Sequence, residues 1–135
     1  AEGGDADGDV LTDVEGIFGT SHNDLLIGDE QDNNIDGYFG YDTIYGNGGD
    51  DTLTGITAYG GDGNDTLSGS EYGQPDRDYL YGDGGDDTIL GNEGGDRLYG
   101  GVGNGRICYR VAQDVTFWKV AGMMTGCWGR TVMMS

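Results

Sequence analysis

Residues 60–68 read Gly60-Gly61-Asp62-Gly63-Asn64-Asp65-Thr66-Leu67-Ser68, six residues dense in glycine and acid followed by three that suit a strand. Glycine permits the positive φ angles and close backbone approach that a tight reversal needs. In Thr-Leu-Ser the middle side chain points to one side and its neighbours to the other, the period of extended chain. The unit is therefore a turn plus a short strand, too small to bury its apolar side chain without neighbours of the same kind.

Such neighbours lie on both sides. Nine-residue units begin at Gly19 (GTSHNDLLI), Gly28 (GDEQDNNID), Gly37 (GYFGYDTIY) and Gly46 (GNGGDDTLT), and others at Gly82 (GDGGDDTIL), Gly91 (GNEGGDRLY) and Gly100 (GGVGNGRIC). Two stretches break the register: Gly55-Ile56-Thr57-Ala58-Tyr59, and residues 69–81, with four extra residues around Pro75 before Asp78-Tyr79-Leu80-Tyr81. Both are expected to be loop excursions from adjacent units. Across the nine units the eighth position is Leu26, Ile35, Ile44, Leu53, Leu67, Leu80, Ile89, Leu98 and Ile107, all aliphatic. The sixth is Asp24, Asn33, Asp42, Asp51, Asp65, Asp78, Asp87, Asp96 and Gly105, seven aspartates in nine. A disordered acidic linker would share the composition but would not hold both columns in register.

This pattern resembles the RTX (repeat-in-toxin) nonapeptide of hemolysin-type calcium-binding proteins, over residues 19–108. The resemblance implies a right-handed parallel β-roll, all-β, with two units per turn and calcium ions in the turns. Units 18 residues apart would then stack. With both insertions set aside, one ladder is expected to hold Asp24, Asp42, Asp65 and Asp87, and the other Asn33, Asp51, Asp78 and Asp96. Calcium takes six to eight oxygen ligands in flexible geometry, so carboxylates from stacked turns plus backbone carbonyls suit it, whereas magnesium demands a tighter octahedron. The expected metal residues are those seven aspartates, with Asn33 as a weaker ligand. The backbone of Gly40, Gly49, Gly60, Gly61, Gly63, Gly82, Gly85 and Gly94 is expected to shape the turns. Asn33 is neutral, Gly105 has no side chain, and His22, Gln31 and Asp76 replace the fourth-position glycine, so the stretch from Asp42 to Asp96 is expected to bind best.

The charge agrees with a cation ligand. Of 135 residues 30 are glycine and 35% are apolar, and the net charge is −19. Residues 1–104 hold 24 of the 25 acids against Arg77 and Arg97, a local charge of −22, and the last 31 residues carry +3. That sign disfavours nucleic acid and anionic membrane surfaces as partners. No run approaches the roughly 20 apolar residues of a membrane-spanning helix. Residues 1–5, Ala-Glu-Gly-Gly-Asp, have neither the basic nor the apolar region of an amino-terminal leader, so none is expected in this stretch.

Catalytic constellations are not expected. There is one histidine, His22, in a turn, and neither G-x-S-x-G nor H-E-x-x-H occurs. Residues 1–18 read as a degenerate leading copy or amino-terminal cap, and 109–135 as an atypical tail or cap in which Cys127 could pair with Cys108. On the outward strand positions Thr43, Thr66 and Thr88 are expected to share one face and Tyr81 and Tyr99 the other, without Tyr45, Tyr59 or Tyr72.

The resemblance implies a module that is disordered when calcium is scarce, leaves the cell through type I secretion machinery, and folds outside, supporting an attached domain. Two other classes stay open. One is a self-assembling extracellular protein such as a filament, surface-layer or adhesin segment, with an ice- or glycan-binding face. The other is a piece of a secreted hydrolase whose active site lies elsewhere.

Overall fold

The computed structural model describes residues 15–70, 77–92 and 94–103, and the backbone of a strand at 106–108. The expectations for residues 1–14, for the tail after 108, for Gly105, Pro75 and Tyr72, and for a Cys108–Cys127 bridge lie outside these residues.

Among the described residues eleven strands follow in order: β1 (Gly16–Phe18), β2 (Leu25–Ile27), β3 (Asn34–Asp36), β4 (Thr43–Gly48), β5 (Thr52–Thr54), β6 (Thr57–Asp62), β7 (Thr66–Ser68), β8 (Tyr79–Gly84), β9 (Thr88–Leu90), β10 (Arg97–Tyr99) and β11 (Arg106–Cys108). They form two parallel sheets, one ordered β1-β3-β5-β7-β9-β11 and the other β10-β8-β6-β4-β2. The chain alternates between the sheets, so each pair of units makes one coil of a solenoid, as expected of a β-roll. Backbone N–H and C=O groups pair from coil to coil, so a short strand such as Thr66-Leu67-Ser68 is held by its neighbours and not by its own length.

The interior is a double row of aliphatic side chains. Ile35, Ile44, Leu53, Leu67, Leu80 and Ile89 are fully buried, with Leu26 and Leu98 nearly so. Two residues join this core that the repeat alignment leaves out: Ile17 of β1 and Ala58 of β6. Burial of each larger side chain contributes about 1.5–3 kcal/mol, and together they are the main apolar support of a glycine-rich chain.

Ala58 corrects the expected register. Residues 55–59 are not an excursion but a complete rung whose turn has shrunk to Gly55-Ile56. Thr57, Ala58 and Tyr59 pair with Thr43, Ile44 and Tyr45 on one side and with Tyr79, Leu80 and Tyr81 on the other. A rung needs only one inward apolar residue between two outward ones; Ala58 meets that need, and Ile56, 5% exposed, fills the place of the missing turn.

Because this rung counts, everything after it moves to the opposite sheet relative to the expected ladders. Thr66 and Thr88 stand in one row with Thr52, while Thr43 pairs with Thr57 on the other sheet. Tyr45 and Tyr59 do extend the Tyr81–Tyr99 row. The four rings stack at centroid spacings of 4.9, 4.7 and 4.6 Å with interplanar angles of 7° or less, and Arg97 lies over Tyr79 beside them. Offset or parallel aromatic stacking of this kind adds about 0.5–1.5 kcal/mol per pair beyond the area buried.

Candidate functional site

The turns between the sheets form the two long edges of the roll, and the sixth-position side chains line them from inside. One edge carries Asn33, Asp51, Asp65 and Asp87; the other carries Asp24, Asp42, Asp78 and Asp96, with Ile56 between Asp42 and Asp78. This corrects the expected grouping, in which Asp65 and Asp87 stood with Asp42, and Asp78 and Asp96 with Asp51. All eight residues are buried, and Asp51, Asp65 and Asp87 are each 1% exposed.

Each ladder is tied by the backbone. The N–H of Asn33 donates to Asp51 Oδ1 (2.8 Å), that of Asp51 to Asp65 Oδ1 (2.9 Å), and that of Asp65 to Asp87 Oδ1 (3.0 Å). On the other edge Asp24 N–H donates to Asp42 Oδ1 (2.9 Å) and Asp78 N–H to Asp96 Oδ1 (3.0 Å). One oxygen of each accepting carboxylate is thus used to fix the next coil.

The second oxygen is a different matter. Asp51 Oδ2, Asp65 Oδ2 and Asp87 Oδ2 are buried and accept no hydrogen bond. Each lies over the first glycine of its own unit, where a Cβ on Gly46, Gly60 or Gly82 would collide with it. At Gly46 and Gly60 the carbonyl oxygen of the next coil, from Gly60 and Gly82 respectively, crowds the same point. Carboxylate and carbonyl oxygens of successive coils therefore converge at places that only glycine leaves open.

Desolvation dominates the electrostatics. It pushes Asp51 up to about 7 and Asp87 up to about 6 from the usual 3.8, against the lowering effect of the backbone N–H from the neighbouring coil and with a further rise from nearby carboxylates. On the opposite edge it raises Asp78 to about 8 and Asp42 to about 6. Asp65 is raised for the same reason. A row of buried carboxylates with no cation beside it is electrostatically incomplete: each must hold a proton or meet a positive charge.

Among the described residues no three His, Cys, Asp or Glu side chains gather around one point. An ion at these edges would therefore draw one or two carboxylates from stacked coils and complete its shell with backbone carbonyls. That all-oxygen, low-symmetry donor set fits calcium and not the nitrogen and sulfur ligands of zinc.

Of the glycines expected to shape the turns, Gly40, Gly49, Gly61, Gly63, Gly85 and Gly94 have positive φ. Gly60 and Gly82 do not, and are needed for space instead. His22 sits exposed in its turn, its N–H donating to Thr20 Oγ1 at 3.1 Å.

A second row was not anticipated. At the fifth position Asn23, Asp32, Asp50 and Asn64 accept, through Oδ1, the N–H of Tyr41, Asp50, Asn64 and Asp86 on the following coil. These bonds run in the opposite sense to those of the buried ladders, so the two rows together clamp each turn from both sides. The column is visible in the sequence as Asn or Asp at these positions, but it is less regular than the sixth position beside it, since the fifth residue is Tyr41 in one unit and Gly95 in another.

A parallel β-solenoid whose edges are ladders of buried carboxylates over glycine turns defines a class of repeat protein built coil on coil from short turn-and-strand units. A family model for the RTX calcium-binding nonapeptide repeat (four copies) matches residues 18–53, 57–71 and 72–107, and the chain belongs to that family. The gap at residues 54–56 falls on the shortened turn. The repeat is a structural calcium-binding module and not a catalytic one. No curated protein and no solved structure matches the chain.

Proposed function

We propose that this roll is a calcium-driven folding module of an exported protein. The observation that carries the reading is the set of three buried carboxylate oxygens, at Asp51, Asp65 and Asp87, that no group among the described residues satisfies. Calcium supplies the missing partner, and its binding free energy becomes folding free energy because the site does not exist in the unfolded chain. The −22 charge of residues 1–104 keeps the metal-free chain expanded. An expanded chain passes a type I secretion channel, and millimolar calcium outside then folds it and stabilises whatever domain is attached.

Sedimentation velocity with and without calcium tests this reading. The wild-type chain is expected to compact sharply on adding calcium while remaining a monomer. A double Asp65→Ala, Asp87→Ala variant is expected to need much more calcium for the same compaction. Equal compaction of both chains at equal calcium would contradict the assignment.

A second reading, an assembling structural protein, is supported by one feature. The outward residues that flank the inward side chain of each rung on this sheet, Leu25 and Ile27, Thr43 and Tyr45, Thr57 and Tyr59, Tyr79 and Tyr81, Arg97 and Tyr99, include no acid in a chain with 25 acids, and they present the tyrosine stack, with Tyr45 37% exposed. That face is the place where two copies approach without carboxylate repulsion. Calcium-dependent growth beyond a monomer in the same sedimentation experiment favours this reading over the first.

A further inference from the structure

We infer that cation capture is concentrated in one unbroken run on one edge of the roll, Asp51, Asp65 and Asp87, while Asp24 and Asp78 on the other edge and Asn33 at the end of the same edge sit in turns closed by their own backbone. The inference rests on the calcium reading above and goes further by saying which carboxylates hold the ions.

The second residue of each turn decides together with the burial of the carboxylate: Tyr38 (φ 66°) and Asn92 (φ 60°), ahead of Asp42 and Asp96 on the other edge, are left-handed too, but among the described residues it is Asp51, Asp65 and Asp87 that keep a buried Oδ2 without a donor. Ahead of Asp51, Asp65 and Asp87 the second residue is Asn47 (φ 78°), Gly61 (φ 109°) and Asp83 (φ 63°), all in the left-handed region. These three stand directly across from one another in the long strands, Asn47 against Gly61 and Gly61 against Asp83. Their N–H groups do not reach the carboxylate, and its Oδ2 is left buried without a donor.

Ahead of Asp24, Asn33 and Asp78 the second residue is Thr20, Asp29 or Ser70, none of which has positive φ. Thr20 donates to Asp24 Oδ2 from its N–H (2.6 Å) and its hydroxyl (3.0 Å). Asp29 N–H donates to Asn33 Oδ1 (2.8 Å), and Ser70 N–H to the Asp78 carboxylate. A carboxylate oxygen that already accepts from the backbone is satisfied without metal, whereas a buried one with no donor suffers its full desolvation.

The edges differ in continuity as well. Asp51, Asp65 and Asp87 occupy successive coils. On the other edge Ile56 takes the sixth position, so no carboxylate lies between Asp42 and Asp78. An ion shared between adjacent coils therefore has an unbroken run of sites on the first edge and an interrupted one on the second.

The test is equilibrium dialysis with calcium on the full chain and on five isosteric variants, with far-ultraviolet circular dichroism at saturating calcium as the check on folding. Asp51→Asn, Asp65→Asn and Asp87→Asn are each expected to lose bound calcium and to raise the calcium midpoint. Asp24→Asn and Asp78→Asn are expected to keep the wild-type count and midpoint. Loss of as many ions from Asp24→Asn and Asp78→Asn as from Asp51→Asn and Asp87→Asn would overturn the edge assignment while leaving the calcium reading intact. A wild-type chain that binds no calcium overturns both.

Should a variant fail to fold, hydrogen–deuterium exchange on the wild-type chain at sub-saturating calcium gives an independent answer. Turns 46–51, 60–65 and 82–87 are expected to become protected before turn 19–24. Simultaneous or reversed protection overturns the inference.

Discussion

Stripped of divalent cations, the chain is expected to hold most β structure near pH 4 and to lose it as the pH rises towards 8, the reverse of an ordinary acid denaturation. The sign follows from the buried ladders. In the folded roll desolvation raises Asp42 and Asp87 to about 6, Asp51 to about 7 and Asp78 to about 8, while in the unfolded chain these groups titrate near 3.8. Between 3.8 and those values the folded state binds protons that the unfolded state has released, so stability falls with each step up in pH. Below about pH 4 both states are protonated and this contribution is fully present.

With calcium the dependence inverts. Protons and calcium compete for the same oxygens, so calcium affinity is expected to weaken as the pH drops through the range from about 7 to about 6 set by Asp51 and Asp87. Circular dichroism across a pH series, with chelator and with calcium, reads both arms. A metal-free chain that gains β signal between pH 4 and pH 8 would show that the buried carboxylates are not what opposes folding.

The second large effect belongs to the core. Leu67 is fully buried in the central coil between Leu53 and Ile89, and the solenoid offers no second layer to close over a hole. Leu67→Ala is therefore expected to cost about 2–5 kcal/mol in saturating calcium, read from the shift of the urea midpoint. Thr66→Ala, one residue away on the exposed face, is expected to stay within about 0.5 kcal/mol of wild type. Similar losses from both would mean that strand propensity and not burial holds the coil together.

The repeat was legible because its two functions fall on fixed columns. An aliphatic at the eighth position and a carboxylate at the sixth are demanded by the core and by the edges, so both survive changes in the turn. Where the turn itself changed, the reading failed. Gly55-Ile56-Thr57-Ala58-Tyr59 has no carboxylate and only a small core residue, and it looked like an excursion although its backbone keeps every pairing of a full rung. The ladder membership of Asp65, Asp78, Asp87 and Asp96, and the place of Tyr45 and Tyr59 in the aromatic stack, both followed from that one miscount.

The closed and open turns were only half legible. Asn47, Gly61, Asp83 and Asn92 are residue types that tolerate positive φ, and all four adopt it. Tyr38 adopts it as well (φ 66°) and Asp29 does not, contrary to type. Tyr38 N–H donates to Asp36 Oδ1 at 2.9 Å, a local bond that holds its turn, whereas the Asp29 N–H is committed to Asn33. Competition between such local acceptors is settled by geometry and leaves little trace in composition.

The central claim, that calcium completes an otherwise unsatisfied fold, is tested most directly by far-ultraviolet circular dichroism of the full chain across a calcium titration, with magnesium as the control cation. The account predicts a steep, cooperative gain of β signal with calcium, none of comparable size with magnesium, and full reversal on chelation. A β signal that is already complete in chelator at neutral pH, or that rises equally with magnesium, would contradict it.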